Sequence, residues 1–124
     1  METRKSALSF EALEKMSRDE RRKHLRADVR LSLAIHRRPS RLATIPGSTI
    51  DLSPFGMKAL IQERLDDEEV VEIDIDLPGG IVRTGAVVVR CLQEGFGFRV
   101  SFAFYRLDLA QFTVLRDYVA RVAT

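Results

Sequence analysis

Val29-Arg30-Leu31-Ser32-Leu33-Ala34-Ile35-His36 alternates apolar and polar side chains with a period of two. Successive side chains of extended backbone point to opposite faces, so this spacing predicts a strand with one face buried. Upstream lies Glu20-Arg21-Arg22-Lys23-His24-Leu25-Arg26, a dense basic tract with no apolar periodicity. Downstream, Arg37-Arg38-Pro39-Ser40 reads as a turn. A second strand takes in Arg41–Ile45, breaks at Pro46-Gly47 and resumes over Ser48–Ser53. Along the resumed part Ile50 and Leu52 point to one face, and Asp51 and Ser53 to the other. Pro54 and Gly56 take the second and fourth places of a β-turn beginning at Ser53.

The strand pattern continues through Met57–Gln62. Leu65-Asp66-Asp67-Glu68-Glu69 follows as an acidic connection, read as a solvated turn. Val70, Ile73, Ile75 and Leu77 belong to a strand with Glu72, Asp74 and Asp76 outward. Pro78-Gly79-Gly80 turns it into a long strand, Ile81–Leu92, and Gln93-Glu94-Gly95 leads on to Phe96–Phe104. Asp108 caps a closing helix with Leu107 and Phe112 as staple partners, and Phe112, Leu115, Val119 and Val122 form its apolar face. At the other end Ser9 caps a helix carrying Phe10, Leu13 and Met16, which stops before the basic tract. About six short strands joined by turns predict a mainly β fold, an antiparallel barrel or sandwich.

A chain of 124 residues suits one domain, with 45% hydrophobic and 31% charged residues typical of a globular protein. The single cysteine, Cys91, excludes an intrachain disulfide framework and suits a reducing cytosol. The start leads into no apolar segment of signal-peptide type. The longest aliphatic run, Ala86-Val87-Val88-Val89, is far short of the roughly 18 residues that span a bilayer. Residues 1–41 hold twelve Lys and Arg against six Asp and Glu, and the remainder holds eight against twelve. A basic N-terminal third on a mildly acidic body points to an anionic partner.

Arg22-x-x-x-Arg26 followed by Asp51-x-Ser53-x-x-Gly56 resembles the paired signature of PilZ domains, bacterial receptors for the second messenger cyclic di-GMP. The strand pair ending in Phe98-Arg99-Val100-Ser101-Phe102 resembles the closing strands of a PilZ barrel. The resemblance covers roughly residues 20–104 and implies a six-stranded antiparallel barrel over about 28–104. An N-terminal extension, 1–19, would precede a flexible Arg-rich loop, and a C-terminal helix would run over about 108–122 of a domain spanning 20–124. It further implies that Arg22 and Arg26 wrap the nucleotide while Asp51 and Ser53 read a guanine. Family members with a further Arg before the first motif Arg tend to bind an intercalated ligand dimer, and Arg21 holds that position. The implied protein is a cytoplasmic, non-enzymatic receptor that signals to a downstream protein, as a monomer or weak homodimer, without nucleic acid or membrane insertion.

The residue types fit that chemistry. A guanidinium can meet both acceptors of a guanine edge, fork onto phosphate oxygens and stack on a purine, which an ammonium cannot do. Two guanines and two phosphates therefore suit Arg21, Arg22 and Arg26. Asp51 can accept from the donor edge of guanine, and the Ser53 hydroxyl can donate or accept. Gly56 lets backbone and ligand approach closely, and Pro54 holds the turn. The chain has no Trp, so base stacking falls to the arginines.

Rival chemistries find little support. His24, His36 and Cys91 lack metal-ligand spacing, and no Ser or Cys sits in a nucleophile motif. Neither a metal, a cofactor nor catalysis is expected. A barrel for single-stranded nucleic acid is the first alternative, but it would set aromatics along a basic groove. A PilZ-like adaptor without ligand is the second, and intact Arg22, Arg26, Asp51, Ser53 and Gly56 count against it.

Overall fold

The structure, a computed structural model, describes residues 26–38 and 43–123. The expected N-terminal helix, Arg21 and Arg22 lie outside the described residues. Within them the order is β1 (Ala27–Asp28), β2 (Ser32–Arg37), β3 (Thr44–Leu52), β4 (Gly56–Ile61), β5 (Val70–Leu77), β6 (Gly80–Glu94), β7 (Gly97–Tyr105) and α1 (Leu109–Val122). Six strands close a barrel in the order β3, β2, β5, β6, β7, β4 and back to β3. Every pairing is antiparallel. The two-residue β1 continues beyond β2 along the end of β3, with Ala27 opposite Leu52.

Alternation puts Ile35, Ile61, Val71, Ile73, Ile75, Val82, Val88, Val100 and Phe104 inside, almost completely buried. Each such side chain contributes about 1.5–3 kcal/mol relative to an exposed one. α1 closes one end. Asp108 accepts from the Gln111 amide at 2.8 Å, a side-chain cap. Phe112 tilts against Phe55 with ring centroids 5.8 Å apart, and Leu115, Tyr118 and Val119 enter the core. Tyr118 replaces the expected Val122, which is 44% exposed. Positions 115, 118 and 119 make one stripe at i, i+3 and i+4, and Val122 lies past the part of the helix that covers the barrel.

Several strand expectations are corrected. The strand expected from Val29 is split, because Val29-Arg30-Leu31 leaves the ladder between β1 and β2. Thr49 fills the gap: its amide donates to Leu31 O at 2.9 Å. Its hydroxyl accepts from Leu31 N at 2.8 Å and donates to Val29 O. β3 does not break at Pro46-Gly47. Pro46 faces Ala34 of β2 but lies beyond the end of β4, whose pairing begins at Gly47, and such an edge tolerates a missing amide. Ile50 and Leu52 do not share a face. Register shifts between Thr49 and Asp51, a β-bulge that turns Thr49 and Leu52 inward and Asp51 outward. In β5 the inward residue is Val71, not Val70.

The acidic connection is more than a solvated turn. Leu65 is 1% exposed, and Glu69 takes both Arg37 Nε at 2.6 Å and Arg37 Nη2 at 2.8 Å. The hydrogen bond from Arg37 holds the Glu69 carboxyl below its ordinary value, against some opposing desolvation.

Candidate ligand-binding cleft

The turn from β3 to β4 is built by Ser53. Its amide donates to Gly56 O at 2.9 Å. Its hydroxyl accepts from Phe55 N and Gly56 N, each at 3.1 Å, and donates to Gly56 O at 3.2 Å. The hydroxyl hydrogen and both lone pairs are thereby engaged, and Ser53 is 2% exposed. Gly56 opens β4 opposite Ala103 of β7. A Cβ there would sit 2.3 Å from Phe102 O, inside any tolerable contact. The motif serine shapes the turn, and the motif glycine lets it lie against β7.

Beside the turn, the bulge in β3 presents Asp51 outward. Arg26 precedes β1, and the pairing of Ala27 with Leu52 brings its side chain alongside. Arg26 Nη1 donates to Asp51 Oδ1 at 2.6 Å, and the Lys58 amide donates to the same oxygen at 3.2 Å. Among the described residues Asp51 Oδ2 has no hydrogen-bond donor, so one carboxylate oxygen remains for a ligand. A cleft of about 170 Å³ opens here, and Arg26, Ser53, Phe55, Gly56, Lys58 and Ser101 are among the residues that line it.

The structure thus brings Arg26, Asp51, Ser53 and Gly56 together; Arg21 and Arg22 lie outside the described residues. Pattern reading missed Thr49, Lys58 and Ser101. Lys58 and Ser101 are the outward members of alternating strands and could have been found on that signal. Thr49 could not, because the bulge breaks the alternation that would have placed it inside. Two larger hollows lie elsewhere. One of about 360 Å³ lies between the β5–β6 hairpin and α1, and another of about 500 Å³ is flanked by Arg37 and Glu63. Neither contains a predicted ligand residue, so size does not select the site.

No group of three or more His, Cys, Asp or Glu among the described residues could hold a metal ion. His36 Nε2 lies 3.3 Å from Asp74 Oδ2, while Cys91 Sγ accepts from Leu65 N at 3.4 Å. No described helix is long and apolar enough to cross a membrane.

Fold and cleft together define a small closed antiparallel barrel with a charged cleft on its outer wall. A sequence model of the PilZ domain matches residues 20–121, and the chain belongs to that family. The fold is similar to that of the inhibitor of motility MotI from Bacillus subtilis, at a TM-score of 0.71 and 22% identity over 87% of this chain. The match covers 54% of MotI, so the chain spans about half the length of that relative. It is also similar to the PilZ domain of YcgR from Escherichia coli, solved with cyclic di-GMP, at a TM-score of 0.64 and 18% identity. That match covers 82% of this chain and 91% of the other. The PilZ domain of CeSA from a cellulose-synthesizing bacterium matches at a TM-score of 0.56 and 22% identity, over 76% of this chain and 93% of that one. A comparison with curated proteins gave no match.

Proposed function

We propose that this chain is a receptor for cyclic di-GMP and performs no catalysis. The observation that carries the reading is the meeting of Arg26, which lines the cleft beside the Ser53–Gly56 turn, with Asp51, 25 residues away in the chain. Family membership supports it, and the YcgR domain is a relative solved with that ligand. Asp51 accepts from the donor edge of one guanine through its second oxygen. Arg26 already lies against Asp51 and can turn its remaining N–H groups to a guanine or phosphate acceptor. Ser53 acts through the shape of the turn, since its hydroxyl is engaged there, and guanine reading falls to Asp51.

Arg21 and Arg22 add guanidinium groups from the chain just before Arg26, and the resemblance to family members with an Arg at the place of Arg21 supports two ligand molecules per chain, bound as an intercalated pair. The receptor works without cofactor or metal, in the bacterial cytoplasm, and passes the signal to a protein partner by repositioning the N-terminal segment.

Calorimetric titration tests the reading. Wild type is expected to bind cyclic di-GMP saturably with two molecules per chain, and to ignore GTP and cyclic di-AMP. Arg22→Ala is expected to abolish binding. Absence of binding by the wild type at high protein concentration would overturn the receptor reading, and one ligand per chain would overturn the pairing.

A further inference from the structure

The barrel carries two β-bulges, one at each end of one row of side chains. In β3 the register shifts between Thr49 and Asp51, and in β6 it shifts between Val88 and Arg90. Without the first, Asp51 would follow the parity of Thr49 and point inward. Without the second, Arg90 would follow Val88 into the core. Between them the ladder sets Asp51 opposite Lys58, Lys58 opposite Ser101, and Ser101 opposite Arg90. The row is graded in charge, from a carboxylate on β3 through an ammonium and a hydroxyl to a guanidinium on β6. Three strand spacings separate its ends, about 14 Å.

Its two cations differ from most others on the surface. Arg26, Arg37, Arg38, Arg83, Arg99 and Arg116 each lie against a carboxylate. Lys58 and Arg90 are exposed and have no acidic partner among the described residues. An unpaired cation held beside a hydroxyl offers a phosphate both charge and a hydrogen-bond donor. Bulges occur where a barrel re-aims a side chain beside a binding site, and here both bulges aim charged groups onto the same row.

We propose that Lys58 and Arg90, with Ser101 between them, are further ligand-binding residues that receive the phosphates of the nucleotide. The row then fixes orientation: the guanine edge lies over β3 at Asp51, and the phosphates lie over β4, β7 and β6. This rests on the cyclic di-GMP reading and adds a barrel-side phosphate site to the arginines of the N-terminal tract.

The test is titration of cyclic di-GMP into wild type, Lys58→Gln, Arg90→Gln and, as a charge control, Arg38→Gln. Arg38 follows β2, near the start of β3 and away from the row. Each row variant should weaken binding about tenfold, the scale of one hydrogen bond to a charged group. Each should also flatten the salt dependence of affinity, with the melting temperature unchanged. Arg38→Gln should bind as wild type. Full affinity in both row variants would overturn the row and leave the receptor reading standing. Equal weakening by Arg38→Gln would show a diffuse field and overturn the row as well. A wild type that does not bind would overturn both.

Discussion

Ser53 serves two amides and one carbonyl with a single hydroxyl, and removing it strands the Phe55 and Gly56 amides inside a buried turn. Ser53→Ala should therefore lower unfolding free energy by about 1–3 kcal/mol, the cost of buried donors left unpaired. Gly56→Ala should cost a similar amount, about 1–3 kcal/mol, because its Cβ would meet the Phe102 carbonyl and force β4 from β7. Urea unfolding checks both. A Ser53→Ala variant with wild-type stability and lost affinity would make Ser53 a reader of the ligand after all. The sequence made these residues visible as a polar and a small residue at a turn. Their atomic duties were not legible, because alternation reports which face a side chain takes and says nothing about its hydrogen-bond partners.

At the scale of elements, the break between β1 and β2 is held by Thr49, and that break sets where Arg26 stands. Thr49→Val keeps the shape but leaves Leu31 N and Val29 O without their side-chain partner. The expected result is a loss of about 1–3 kcal/mol in stability with weaker ligand binding, read by unfolding and titration of the same sample. Wild-type affinity in a destabilised variant would separate the break from the site. Strand existence was legible nearly everywhere, since Leu33, Ile35, Ile73 and Ile75 alternate cleanly and pack inside. The two bulges were not, because one inserted residue flips facing without changing composition. Asp51 was placed outward by an alternation that counted Ile50 as an ordinary ladder residue; the true cause is that Ile50 is the extra one.

For the whole molecule, the closed barrel leaves no long unpaired strand among the described residues, and stability can be followed as a single quantity against pH. Glu69 is held below its ordinary value of 4.5 chiefly by the Arg37 hydrogen bond. A depressed carboxyl stabilises the fold above its unfolded value and loses that contribution as pH falls through the folded value. Wild type should thus lose stability below about pH 4.5. Glu69→Gln should be less stable at neutral pH by about 1 kcal/mol, discounted because Arg37 is 37% exposed. The two proteins should converge at strongly acid pH. Parallel melting curves against pH would remove Glu69 from the acid transition. Closure itself was legible as a class, barrel or sandwich. Strand order was not, because the pairing of β2 with β5 and of β4 with β7 joins segments far apart in the chain.

Arg26 is tied to Asp51 and stands one residue from a strand pair, so the chain before it starts from a known point. Arg22 lies four residues earlier and can be no farther than about 14 Å along the backbone, whatever path it takes. On the proposed reading, Asp51 and Arg26 take one half of the ligand, and the next guanidinium is then tethered within reach. Its capture of the other half becomes an intramolecular event, with an effective concentration fixed by four peptide units rather than by diffusion. For such a ligand the ion pair beside the cleft would be a mooring, and the length of the line behind it would limit how large a ligand can be held.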